Sequence, residues 1–119
     1  MEKLSVEMSH YRQLFKSELI DDILSYWIKH SIEKNGEGFY GAADMEGNPV
    51  LTANKSCVLN ARILWTFSEA SIRFPNSEYG IIADRAFSFM ENYFADKQSG
   101  GYFMELKPDN SVASDIKHT

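Results

Sequence analysis

Arg62 is the residue of this chain best placed to do chemistry, because of its company. It stands in Ala61-Arg62-Ile63-Leu64-Trp65, flanked on both sides by apolar residues. A guanidinium in such a run must reach water, find a carboxylate or face a wet cavity. Its planar fork of five N–H donors suits sugar hydroxyls or a carbonyl oxygen. Periodicity alone favours a plainer reading, an arginine snorkelling from the polar edge of a helix. Other reactive groups are scarce. His10, His30 and His118 lie far apart without metal-ligand spacing, so no zinc site is expected, and His10 and His30 read as solvated surface. Asp21 and Asp22 are neighbours on a helix and diverge, a poor acid/base pair. Gly36, Gly38 and Gly41 loosely match a phosphate loop but precede a hairpin, not a helix N-terminus. The one cysteine, Cys57, excludes an internal disulfide and reads as a small buried filler.

The elements that must position these residues follow from periodicity. Met8, Tyr11, Phe15, Leu19, Ile23, Trp27 and their neighbours recur at steps of three and four, which predicts one amphipathic helix from about Ser5 to Lys34, ended by Asn35-Gly36. A second helix is expected from about Lys55 to Phe74, with Val58, Leu59, Ile63, Leu64, Trp65 and Phe67 spread over more than one face. A third, from about Ser77 to Ala95 with Ser77 as N-cap, carries Ile82, Ala86, Phe89, Met90, Tyr93 and Phe94 on one side. Between them, Gly38–Val50 is too short and turn-rich for a helix and fits a hairpin.

That hairpin has an echo. Gly38-Phe39-Tyr40 is shadowed by Gly101-Tyr102-Phe103, 63 residues later, and both stretches run on into Gly/Asn/Pro/Asp turns. Ungapped, the register sets Lys55-Ser56 against His118-Thr119. The unit reads as helix, helix, ribbon, then again, the way a helical toroid or solenoid is built. The second unit is expected to continue into a helix at Thr119. Three helices cannot cover all the apolar faces of the second, so either sequence C-terminal to this chain or further copies of it are expected to do so by association.

Composition narrows the field. At 119 residues, 44% hydrophobic and 13% aromatic, the chain is globular and sized for one domain. Net charge is −5 without a basic cluster, which argues against nucleic acid and anionic membranes. There is no signal-like or membrane-spanning apolar run, so the protein reads as cytoplasmic, and Asn54-Lys55-Ser56 reads as a chance glycosylation match.

Taken together, Ser25-Tyr26-Trp27, Gly38-Phe39-Tyr40-Gly41, Asn60-Ala61-Arg62-Ile63-Leu64-Trp65-Thr66-Phe67, Gly100-Gly101-Tyr102-Phe103 and Lys117-His118-Thr119 resemble the N-terminal third of the N-acylglucosamine 2-epimerase family, nearest to its cellobiose 2-epimerases. The resemblance implies an all-α fold, the N-terminal segment of an (α/α)6 barrel with short β-hairpins between helix pairs, residues 1–119 forming a single incomplete domain. It implies interconversion of sugars epimeric at C2 through an enediolate, a small-molecule sugar as partner and no redox cofactor. It turns the reading of Arg62 toward the substrate's reactive end. Tyr40, Tyr102 and His118 become further candidates for substrate contact, set against core or rim packing for the tyrosines and a structural place at a helix start for His118. The acid and base histidines are expected C-terminal to this chain, which is expected to be inactive alone. Two other functions stay open: a hydrolase or lyase on an α/α toroid, which needs two carboxylates facing one sugar, and a non-catalytic helical-repeat module with an exposed aromatic groove.

Overall fold

The computed structural model describes residues 2–74 and 78–117. Helix α1 (Glu2–Ser17) runs through a π-helical turn, Glu18–Leu24, into α2 (Ser25–Ser31). The expected first helix is thus present, but it ends at Ser31 and carries a wide turn that the three-and-four stepping does not reveal. Among the described residues α1 packs on no helix or strand beyond the turn that continues it. Met8, Tyr11 and Phe15 of its apolar stripe are consequently exposed. The described residues extend 59 × 32 × 24 Å.

Strand β1 (Lys55–Ser56) leads directly into α3 (Cys57–Arg73), and α4 (Tyr79–Phe89) continues through a second π-helical turn, Met90–Phe94. The expected Ser77 cap lies outside the described residues. α3 and α4 form the main helix pair. Ile63, Phe67 and Ala70 of α3 meet Ile82, Ala83 and Ala86 of α4, with Leu24 and Phe39 closing the same cluster. A second cluster, Cys57, Phe89, Met90, Phe94 and Leu106, joins the helices to the sheet. The broad apolar surface of α3 is only partly covered, since Trp65 remains 68% exposed and Val58 and Ile72 are exposed too. No helix among the described residues is long and apolar enough to cross a membrane.

The two ribbons differ in quality. The second is regular: β2 (Phe103–Leu106) and β3 (Val112–Lys117) pair antiparallel, and β1 adds to β2 with Lys55 opposite Leu106, in the order β1-β2-β3. The first, at residues 38–50, is not helical but has no strand, only the isolated bridges Ile32↔Phe39 and Ala43↔Pro49. Pro49 has no N–H to extend a ladder, and the Asp44 carboxylate takes the N–H groups of Glu46 and Asn48, both at 2.9 Å, into its own turn. The echo nevertheless holds in register. Ile32↔Phe39 recurs 63 residues on as Ala95↔Tyr102, and Ala43↔Pro49 recurs as Leu106↔Val112.

Gly41 sets the distance between the first ribbon and the entry to β1. A Cβ there would fall inside the shell of the Asn54 backbone carbonyl, which has no rotamer with which to yield. Gly41→Ala is expected to cost about 1–3 kcal/mol in urea unfolding. Gly100, at φ +80° with nothing among the described residues within 4 Å of an added Cβ, is the control, where alanine adds only left-handed strain of about 1–2 kcal/mol. Equal, negligible losses at both sites would show that the Gly41 approach is not tight.

Candidate functional site

The first turn of α3 is built before its arginine is aimed. Ser56, in extended conformation, caps the helix by accepting the Leu59 N–H on Oγ at 2.9 Å. Asn60 Nδ2 donates to the Ser56 carbonyl at 2.9 Å. Asn60 is 2% exposed, and its Oδ1 has no partner among the described residues. Two residues on, Arg62 projects from the opposite, open side of the helix and lines a cleft of about 740 Å³ with Ala61, Trp65, Thr66, Met90 and Tyr102. Among the described residues its guanidinium has no ion pair and no hydrogen bond. Among the described residues no carboxylate or imidazole lines the cleft. The arrangement can hold a neutral polyol and stabilise charge developing on one of its oxygens, but general acid or base groups must come from elsewhere.

Tyr102 stands on the far wall and donates its hydroxyl proton to Glu91 Oε1 at 2.8 Å. That hydrogen bond, reinforced by the carboxylate's charge, holds the phenol above its ordinary value near 10. Tyr93, bonded to Glu37 Oε2 at 2.7 Å, is raised for the same reason, and Tyr79 is raised first by burial. A tyrosine raised in the folded state contributes stability below its unfolded value, lost as pH rises through the raised one. Stability is therefore expected to fall on the alkaline side, above about pH 10. Glu91→Gln should bring the Tyr102 phenolate transition, isolated by difference against Tyr102→Phe, back toward that value in an ultraviolet titration. An unchanged transition would remove Glu91 as the cause.

Of the residues singled out in the sequence, the fold brings Arg62 and Tyr102 to one cleft. Tyr40 is not with them. Its ring lines a separate hollow beside Tyr26, Trp27 and His30, and its oxygen accepts the Lys34 N–H at 3.3 Å. The first ribbon folds back on the end of α2, with the Tyr40 N–H donating to the Ser31 carbonyl, and this seats Tyr40 against Leu59 of α3, outside the cleft that Arg62 shares with Tyr102. His118 lies outside the described residues. His30, expected at a solvated surface, is half-buried, its ring centroid 4.6 Å from that of Tyr26. Among the described residues no group of three His, Cys, Asp or Glu could hold a metal ion.

Two cations that hold the frame were missed. Arg85 of α4 donates to the carbonyls of Glu33, Gly36 and Gly38 at 3.1, 2.7 and 3.0 Å, fixing the loop after α2. Lys55 is 2% exposed, with Nζ 2.8 Å from Glu33 Oε1 and 2.6 Å from Asn110 Oδ1. Neither is distinguishable in sequence from a solvated cation. The echo offered the one available hint for Lys55, by placing it at the mouth of a repeated unit.

Residues 38–118 match the N-acylglucosamine 2-epimerase (GlcNAc 2-epimerase) family. Cellobiose 2-epimerase of Bacteroides fragilis is 35% identical over 95 residues, covering 80% of this chain and 24% of that protein. That of Eubacterium cellulosolvens is 33% identical over 102 residues, covering 86% and 25%. Among solved structures, cellobiose 2-epimerase from Spirochaeta thermophila superposes with TM-score 0.84 at 32% identity, over 93% of this chain and 27% of that one. The enzyme from Bacillus thermoamylovorans gives 0.81 at 31%, over 92% and 28%. The chain belongs to the N-acylglucosamine 2-epimerase family. It spans about a quarter of the length of the curated relatives it matches.

Proposed function

We propose that this chain supplies the N-terminal helical layers of an (α/α)6 barrel that epimerises a sugar at C2. The C2 proton is removed and returned through an enediolate by two histidines outside this chain. Arg62 holds the developing enediolate oxygen with N–H groups that gain strength as charge builds there. Tyr102 borders the same space, its phenol oxygen turned into an acceptor for a sugar hydroxyl by its donation to Glu91. The observation that carries the reading is the unpaired Arg62 guanidinium in a mostly apolar cleft, on a chain whose relatives are named for sugar 2-epimerisation. The exposed apolar surface outside the cleft, which includes Ile72 and Ile81, is where further helices of the barrel pack, and the chain by itself is inactive and prone to associate through that face.

The test is a chimera in which residues 1–119 of this chain replace the matching N-terminal segment of the Bacteroides fragilis cellobiose 2-epimerase. In D2O the folded chimera should epimerise cellobiose and place deuterium at C2, while the 119-residue chain alone does neither. A folded chimera that neither epimerises nor exchanges C2–H would remove the proposal.

A further inference from the structure

The hollow that holds Tyr40 is a separate feature, opened by the return of the first ribbon over α2. Tyr26, Trp27 and Tyr40 give it aromatic walls, Leu59 and Ala43 contribute apolar surface, and His30 supplies a polar edge. Its volume is about 230 Å³. That lies below the roughly 300–1,000 Å³ of pockets that take drug-sized ligands, so it fits one ring and not two. The floor is fixed. Gly47, at φ +85°, brings backbone so near His30 that an added Cβ would stand 3.1 Å from the imidazole. The turn below is held by Asp44, and Tyr40 is tethered by the Lys34 N–H.

Two polar groups at this hollow are unused. The Tyr26 hydroxyl and the His30 ring nitrogens have no hydrogen-bond partner among the described residues, although the two rings lie with centroids 4.6 Å apart, tilted by 40°. Among the described residues no Lys, Arg, Asp or Glu lines the walls, so a charged ligand would lose its hydration without a counter-charge. What suits flat apolar walls with a donor and acceptor at one edge is a neutral ring with apolar faces and equatorial hydroxyls. Trp27 and Leu59 also line a further hollow of about 280 Å³, separate from the cleft shared with Tyr102, whose other walls include Arg62, Ile63 and Thr66.

We propose that this hollow binds a single neutral pyranose ring, stacked among Tyr26, Trp27 and Tyr40 and hydrogen-bonded by Tyr26 and His30. The site rests on the carbohydrate reading for its ligand class, but it does not use Arg62 or the C2 chemistry.

The chain has two tryptophans, so Trp65→Phe leaves Trp27 as the only indole reporter. Titrating that variant of the full chain with methyl β-glucopyranoside should give a saturable change in Trp27 fluorescence, with Kd on the order of 1 mM. Tyr26→Phe, which keeps the ring and removes the hydroxyl, should weaken binding about threefold to tenfold, and Tyr26→Ala should abolish it. Tyr26 is 45% exposed, so neither change threatens the fold, which circular dichroism checks. Arg62→Ala should leave the titration unchanged. Binding that persists while the chimera proves inactive would therefore sink the epimerase reading and keep this one. No saturable response from folded Trp65→Phe protein, a response that survives Tyr26→Ala, or saturation by phenol but not by the glycoside would each overturn the pyranose site.

Discussion

Arg62→Ala in the chimeric epimerase is expected to lower kcat about 100- to 1,000-fold while leaving thermal unfolding nearly unchanged. The two halves of that expectation have separate origins. The side chain is exposed and has no ion pair or hydrogen bond among the described residues, so its loss costs little stability. In the reaction it would face an oxygen gaining charge inside a mostly apolar cleft. There, removal of one preorganised donor costs about 2.7–4 kcal/mol of transition-state stabilisation. Arg62→Lys should recover little, since an ammonium cannot reproduce the planar fork. The measurement is steady-state kinetics together with C2 deuterium exchange. A KM effect alone, with kcat retained, would mean that Arg62 binds sugar equally in ground and transition states and does not stabilise the enediolate.

Lys55→Ala is expected to have the largest effect on stability, about 3 kcal/mol, at the lower end of the range for breaking a buried ion pair. The ammonium is 3% exposed and its Glu33 partner 16%, so Glu33 keeps some access to water once its counter-charge is gone. The substitution also removes the bond to Asn110 and the contact with the Phe89 ring, 5.1 Å from Nζ. Pairing Lys55→Met with Glu33→Gln should restore a good part of the loss, because neither site then carries an uncompensated charge. Urea midpoints of the two variants against the parent chain measure this. A double variant no more stable than Lys55→Ala would place the cost in packing against Phe89 instead of in electrostatics.

The sequence announced its helices because burial against one neighbour imposes a spacing, and Ile63, Phe67 and Ala70 keep that spacing on α3. The 63-residue echo was legible for a related reason. Paired glycines and aromatics mark where backbone must come close, and Gly38 does so against the Phe89 ring, where a Cβ would stand 2.6 Å from ring carbons. The π-helical turns were invisible, since an extra residue in one turn leaves neighbouring apolar steps looking ordinary. The addition of Lys55-Ser56 to the sheet was also missed, as two residues are too few to show alternation. In the candidate site, Arg62 declared itself by being polar among apolar neighbours. Tyr40 and Tyr102 looked alike because they occupy adjacent positions in echoing ribbons. What separates them is which way each ribbon turns after its bridge, a matter of long-range contacts and not of residue type.

The bond from Lys55 to Asn110 joins residues 55 positions apart. During synthesis at about 5–20 residues per second, roughly 3–11 s pass between the appearance of the first partner and the second. For most of that interval the entry to α3 has Glu33 and the first ribbon but neither Asn110 nor the β2 strand that β1 pairs with. The helix bearing Arg62 can coil early, yet its bearing relative to the cleft is fixed only when the second ribbon arrives. A nascent chain stalled before Leu106 should thus expose the segment around Lys55 to protease, and one released past Val112 should protect it.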